Sequence, residues 1–495
     1  MTKQQRLVLV VSILASFVAF LDSAIVNVAL PSIQNELGGG LSAQQWIVDA
    51  YLLTLGSVIL IAGSLSDLFG RMKILSIGLL GFGVASVLCA IAPNNEFLIA
   101  ARALQGIAGA FLVPSSLALI IAAFSGSAQG KAIGTWTAWT GIAFVIGPLL
   151  GGILVDSGSW RWIFAINILP IIVTLWLIRD IKVVKEKPKS ASVDYLGATL
   201  CALGLAGPIY ALIEAPHYGW SSPMVYLPLI CGILLLALFL LHEKRTKHPM
   251  LPLSLFKNHN FSVGNIATLA IYAALSAATF LIVLFLQQVS GYSALSAGLA
   301  LLPITIILFF LSSRFGALAG KHGPRLFMGL GPLVAALGFL LMLRIPADVN
   351  YWTQLFPAII LFGLGLAMTV APLTSAILGD VKPEQAGIAS AVNNAVARIA
   401  GLIAVAAIGA AVAVKFSYSM NEPALSFSNS SIETAKQSPL VVAPPKPYTD
   451  NKTYRAALTN ASVDAFHTGI AISTATLIAG GIISLVGIRN PKTAD

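Results

Sequence analysis

An all-α membrane protein built from two repeated halves is the fold class this sequence predicts, and three observations predict it. Of 495 residues, 57% are hydrophobic and only 10% charged, at a mean hydropathy of +0.88. Soluble domains carry about 25% charged residues. Fourteen apolar runs are long enough to cross a bilayer and none alternates with a period of two, so they are helices and not barrel strands. Finally, a glycine-rich basic turn occurs twice, as Gly63 to Lys73 and again as Gly316 to Arg325.

Taken in order, the predicted spans are residues 7–30, 46–66, 73–92, 97–124, 132–155, 162–179, 193–213, 224–241, 260–289, 295–319, 325–344, 353–378, 386–414 and 463–488. The first follows Lys3 and Arg6 as a signal peptide would. It runs on through Asp22 to Leu30 with no clean small-residue cleavage site, and is read as an uncleaved span. The two copies of the turn join spans 2 to 3 and 10 to 11. They fall at equivalent places if spans 7 and 8 are an insertion between two six-helix halves. The division expected is 1–180 for the first bundle, 181–259 for the linker with the two extra helices, and 260–495 for the second bundle. The second bundle includes a Ser/Pro/Asn-rich outer loop over about 415–462.

Charge placement sets the topology. With the N-terminus inside, cytoplasmic loops collect Lys3, Arg6, Arg71, Lys73, Lys182, Lys185, Lys244, Arg245, Lys321, Arg325 and Arg489, while the short outer loops hold Arg161 and Arg344. Both termini are therefore expected in the cytoplasm, and the net charge of +10 is read as orientation and not as nucleic-acid binding. Cys89, Cys201 and Cys231 lie far apart in apolar runs, without the spacing of a disulfide framework or a metal cluster. The histidines also lack ligand spacing, and no GxxxxGK[ST] loop is present, so neither metal, cofactor nor ATP is expected.

The residues that stand out are polar groups at depth. Asp22 lies fifteen residues past Leu7, about 22 Å into the bilayer at 1.5 Å per residue. An intramembrane carboxylate is costly, and burial and a nearby cation pull its proton affinity in opposite directions. The plain alternative is a structural acid satisfied by Ser23 or Asn27. Arg102 is inside span 4 and cannot deprotonate, so it needs a partner or water, unless it snorkels to the outer interface. Asp49 opens span 2 as a cavity acid or a helix-end acid, beside Trp46 and Tyr51, which could equally line a cavity or be interface anchors. Asn27, Trp136, Trp139, Gln287, Gln288, Asn393 and Asn394 are candidate cavity liners, with packing as the alternative for each. Arg398 is read as snorkelling inward, and Glu214 as rim. Spans 9 to 13 hold no acidic residue in their interiors, so charge recognition is expected from the first half.

Several segments carry a family pattern. They are Leu21-Asp22 with Asn27-Val28-Ala29-Leu30-Pro31; Gly63 to Lys73; Arg102, Gln105 and Gly106; Gly147-Pro148-Leu149-Leu150-Gly151-Gly152; and Leu286 to Ser293 with Ala297-Gly298-Leu299. On these, from about Phe20 to Gly481, the chain resembles the major facilitator superfamily, in its fourteen-helix drug:proton antiporter branch. The resemblance implies a proton-coupled antiporter of the inner (plasma) membrane that exports amphipathic, cationic or neutral compounds by alternating access. Asp22 and Arg102 would couple protons. Gly63, Asp67, Gly70 and Arg71 would form a cytoplasmic gate, and Gly147, Pro148, Gly151 and Gly152 a hinge. Its partners would be the small-molecule substrate, protons and the lipid bilayer, and it would act as a monomer. A metabolite, lipid or anionic natural product is the alternative cargo, and a non-transporting sensor the alternative class.

Overall fold

The computed structural model describes residues 1–124, 126–181, 193–246, 249–379, 381, 386–421, 432, 435, 436, 439, 440 and 451–490. Each of the fourteen expected spans falls on a helix. The first bundle has α1 (Lys3–Leu37), α2 (Gly40–Phe69), α3 (Arg71–Ala90), α4 (Asn95–Ala123), α5 (Gly126–Ser157) and α6 (Trp162–Ile178). The extra pair is α7 (Tyr195–Tyr218) and α8 (Pro223–Arg245). The second bundle has α9 (His259–Val289), α10 (Ala294–His322), α11 (Pro324–Met342), α12 (Phe356–Gly379), α13 (Ala386–Met420) and α14 (Lys452–Gly487).

Helix ends follow local chemistry. Asn94 caps α4 by accepting from the Phe97 amide, and Ser293 caps α10 by accepting from the Ser296 amide. α13 ends at Met420 and α14 begins at Lys452, so both run past their expected ends into the loop expected over about 415–462. The Asn451 side chain caps the start of α14 through the Tyr454 amide, and Lys415 on α13 meets Asp464 on α14 at 4.0 Å. Hydropathy alone does not register such polar extensions.

The repeated turns have matching backbone. Gly70 precedes α3 at φ 94°, and Gly323 precedes α11 at φ 84°. Both are values that a side chain disfavours, which explains glycine at each. In the first copy, Arg71 donates to the Ala118 carbonyl on α4 at 3.2 Å. In the second, the Arg325 amide donates to Asn490 Oδ1 at 3.1 Å, and its guanidinium to the Leu485 carbonyl. The side chains of Gly63's neighbour Ser64 and of Asp67, expected in the gate, lie outside the described residues, as does any structural account of Gly63 beyond its place in α2.

By contacts the chain divides into two compact units. The first comprises residues 1–33, 47–207 and 231–252, and the second residues 34–46, 208–230 and 253–495. Small residues bring helices together in both, as membrane packing requires. In the first unit, a Cβ on Gly106 of α4 would collide with Thr54 and the Tyr51 carbonyl of α2, and Thr54 Oγ1 donates to the Ala103 carbonyl at 2.8 Å. In the second, Gly338 of α11 lies against the Ala358 carbonyl of α12, and Gly365 of α12 against Ala335 of α11.

The start of α7 and the end of α8 belong to the first unit. There Asp194 accepts from the Gly197 amide at 2.8 Å and meets His242 Nε2 at 2.8 Å. The α7–α8 turn and the helix ends beside it belong to the second unit, together with the tip of the α1–α2 hairpin. Glu214 accepts there from Ser42 Oγ at 3.1 Å and from Trp46 Nε1 at 2.9 Å. Read from sequence as rim, it is instead a joint that ties α7 to α2.

Candidate functional site: a buried ion pair in the first unit

α1 turns Val18, Leu21, Asp22, Ile25, Val26 and Ala29 into the protein, so the carboxylate is carried on an otherwise apolar face. α5 seats against that face. A Cβ on Gly147 would lie 2.6 Å from the Ala24 methyl, and one on Gly151 2.7 Å from Ile25 Cγ1. Two of the four expected hinge residues thus serve as a close-packing seam one turn from Asp22. Pro148 lies inside the same helix, and Gly152 is buried there.

Asp22 has no accessible surface and Arg102 retains 2%. Arg102 Nη1 donates to Asp22 Oδ2 at 2.6 Å and to Gln105 Oε1 at 2.6 Å, and its Nε donates to the Ile47 carbonyl at 3.1 Å. The guanidinium lies over the Tyr51 ring at 4.3 Å and the Phe164 ring at 5.8 Å. The other carboxylate oxygen accepts from Gln105 Nε2 at 2.8 Å and from Asn167 Nδ2 at 2.9 Å. Ser86 Oγ closes the ring by accepting from both amides, at 3.0 and 3.4 Å.

Every contact to Asp22 is a donor, the pattern that suits an ionised carboxylate. The two plain alternatives from sequence do not hold. Ser23 Oγ donates to its own helix at Ala19, and the donors to the acid are Arg102, Gln105 and Asn167, so among the described residues neither Ser23 nor Asn27 satisfies Asp22. Arg102 is paired at depth and does not snorkel outward.

The remaining candidates separate. Asp49 is fully buried on α2, and neither carboxylate oxygen has a hydrogen-bond partner among the described residues. Trp136 packs with Leu9, Ile120, Phe124 and Ala132 and donates to Ser16 Oγ at 3.1 Å, whereas Trp139 is 52% exposed. Gln287 and Gln288 lie in a π-helical turn closing α9, and Asn27 is partly exposed on α1. Asn393 donates to Asn265 Oδ1 at 3.2 Å and Thr268 Oγ1 at 2.9 Å on α9, while Asn394 bonds the Ser390 carbonyl of its own helix at 3.0 Å.

Sequence reasoning missed Ser86 and Asn167, and left Tyr51 open between a cavity and the interface; its ring lies under the Arg102 guanidinium. A signal for Asn167 was present. It is a lone amide in an apolar run, placed where α6 breaks between Trp162–Ala165 and Ile168–Ile178.

The comparisons give this helical chain and its sealed charge pair their class, that of a membrane transporter. The chain belongs to the major facilitator superfamily, whose family model matches residues 12–405. It is 36% identical over 406 residues to the methylenomycin A resistance protein of Bacillus subtilis (strain 168), covering 81% of this chain and 86% of that one. It is 33% identical over 435 residues to the multidrug resistance protein Stp of Mycobacterium tuberculosis (strain CDC 1551 / Oshkosh), covering 86% and 79%. Among solved structures, it is similar in fold to a bacterial homologue of the human lysosomal transporter Spinster in an inward-facing, unoccupied conformation. The TM-score is 0.68 at 15% identity, covering 99% of this chain and 100% of that one. The protein is a membrane transporter and not an enzyme.

Proposed function

We propose that this protein exports amphipathic drug-like compounds, cationic or neutral, in exchange for protons, across a membrane with both of its termini on the cytoplasmic side. The observation that carries the reading is the Asp22–Arg102 pair, buried and held at 2.6 Å. Relatives named for resistance to drugs supply the cargo class.

The cycle follows from competition for one carboxylate. In the paired state Arg102, Gln105 and Asn167 all donate to Asp22. A proton arriving on Asp22 removes the negative charge, releases the guanidinium and frees α1 from α4. Return of Arg102 expels the proton. Alternation between these two states, coupled to opening on opposite sides of the membrane, makes the pH gradient drive export. The membrane potential adds about 2.3 kcal/mol per net charge per 100 mV. Asp49, whose carboxylate has no hydrogen-bond partner among the described residues, is the group that meets a cationic centre on the cargo. Gly70, Arg71 and the α1–α5 seam at Gly147 and Gly151 hold the helices whose packing changes. The protein works as a monomer. A metabolite or anionic natural product is the alternative cargo on the same fold.

The test is efflux of ethidium from proteoliposomes under an imposed pH gradient. Wild type is expected to accelerate efflux when the gradient is applied, and Asp22→Asn to lose the acceleration while inserting normally. Gradient-driven transport at wild-type rate in Asp22→Asn would remove Asp22 from the mechanism.

A further inference from the structure

Three donors hold the Asp22 carboxylate, and they do not come from one helix. Arg102 and Gln105 belong to α4, whereas Asn167 belongs to α6. A movement that withdraws α4 from α1 takes the first two with it. Asn167 is the donor that such a movement leaves behind.

α6 is shaped at this point. Its backbone tightens between Trp162–Ala165 and Ile168–Ile178, where the Asn167 amide N–H donates to the Phe164 carbonyl three residues back, at 3.2 Å. Phe164 and Asn167 therefore share one face of the helix. The Phe164 ring lies 5.8 Å from the Arg102 guanidinium, and Asn167 Nδ2 lies 2.9 Å from Asp22 Oδ1, so a single turn touches both members of the pair. α3 backs that turn. A Cβ on Gly83 would lie 3.5 Å from Ile171 Cγ2, one turn away from Ser86 on α3 and from Asn167 on α6.

The Asn167 side chain is set for donation. Nδ2 faces two acceptors, Asp22 Oδ1 at 2.9 Å and Ser86 Oγ at 3.4 Å. Oδ1 of the same amide is buried and has no hydrogen-bond partner among the described residues. An orphaned buried acceptor is costly, and here it is tolerated because a half-turn of the amide would aim that oxygen at a carboxylate. What Nδ2 serves decides the orientation, and Ser86 helps to fix it.

The proton falls on the other oxygen. Arg102 Nη1 sits 2.6 Å from Asp22 Oδ2, and a proton that displaces the guanidinium takes that place. One O–H bond forms at Oδ2 and the hydrogen bond from Arg102 is given up. Oδ1 becomes the carbonyl of a neutral acid, and its lone pairs still accept from Nδ2.

We propose that Asn167, oriented by Ser86, is a positioning residue of the proton-coupling site. It keeps hold of Asp22 Oδ1 while the proton is on Oδ2, so α1 stays tied to α3 and α6 as α4 is released. The proposal rests on the reading that Asp22 takes up a proton during export, and it names the helices against which that proton works.

Infrared difference spectroscopy of the purified full-length protein, acidified against neutral, tests the tether. The C=O stretch of protonated Asp22 is the band that Asp22→Asn lacks, and a carbonyl that loses a donor vibrates at higher frequency. Asn167→Leu is expected to move the band up, and Ser86→Ala to move it less in the same direction. In proteoliposomes, Asn167→Leu is expected to slow gradient-driven ethidium efflux about tenfold, the scale of one hydrogen bond to a charged group. Should Asn167→Leu fail to fold, the shift in Ser86→Ala carries the test. A band that stays in place in the folded variants overturns the tether. A wild type without any Asp22 band overturns it together with the proton cycle it rests on. A shifted band in a protein whose wild type shows no gradient-driven efflux rejects export and leaves the tether. Gradient-driven efflux with an unmoved band rejects the tether and leaves export.

Discussion

Asp22 and Arg102 share one buried contact, so each substitution exposes the partner that remains. Removing one member of a buried ion pair costs about 3–5 kcal/mol, because the surviving charge has no water to turn to. Arg102→Gln and Asp22→Asn are each expected to lower the melting temperature of the purified protein. Asp22→Asn with Arg102→Gln, which leaves no charge at all, is expected to melt above the Arg102 single variant. Strict additivity in this cycle would show that the two residues do not act as a unit. Asp49 predicts the opposite behaviour, since its carboxylate has no hydrogen-bond partner to lose among the described residues. Asp49→Asn should leave the melting temperature at or above wild type while weakening ethidium binding by about tenfold, the scale of one ionic contact; unchanged ethidium affinity would remove Asp49 from the recognition of cations. The charged half of this network was legible in the sequence, because an acid or an arginine in an apolar run needs an account. Ser86 and Asn167 were not, because serine and asparagine in helices commonly bond to their own backbone, as Ser23 does to Ala19.

At the scale of elements, glycine placement separates the two copies of the repeated turn. Gly70 and Gly323 share a positive φ, and nothing lies within 4 Å of where a Cβ on Gly70 would stand. At Gly323 the same atom would strike the Asn490 side chain. Gly70→Ala should therefore cost only backbone strain, about 1–3 kcal/mol, and Gly323→Ala distinctly more. Equal losses of thermal stability would contradict that difference. The tip of the first hairpin makes a second case. Gln45 Nε2 donates to the Val405 carbonyl on α13 at 2.7 Å, across Gly409, where a Cβ would collide with the amide. Gly409→Ala is expected to expel that amide and lose its bond, a net loss of about 1 kcal/mol. Once Gln45→Ala is in place, Gly409→Ala should add little, and a full additional loss would deny the contact. Neither Gln45 nor Gly409 stood out in sequence. A single glutamine near a helix start and a single glycine in a small-residue helix have no signature until the packing pairs them. The fourteen spans, by contrast, were readable because each must be apolar over its whole length to cross a bilayer.

For the molecule as a whole, the arrangement of charge predicts which side each loop faces, and this can be tested without knowing the cargo. Membrane insertion retains Lys and Arg on the cytoplasmic side. The α10–α11 turn with Lys321 and Arg325 then lies inside, while the α7–α8 turn at Ser221, with no basic residue, lies outside. Cys89 and Cys201 are buried, and Cys231 is exposed on α8 among apolar neighbours, so a Cys231→Ser background removes the accessible native thiol. In that background Ser221→Cys should react with a membrane-impermeant maleimide on intact cells, and Lys321→Cys only after permeabilisation. The reverse pattern would place the termini outside. It would not reverse the proposed transport, because in an exchanger the proton gradient sets the direction: with the outside acid, protons enter and cargo leaves in either orientation. What the loops decide is on which side the Gly70–Arg71 turn closes. With Lys321 inside, its counterpart at Arg71 also faces the cytoplasm, and the proposed gate shuts on the side from which cargo is loaded.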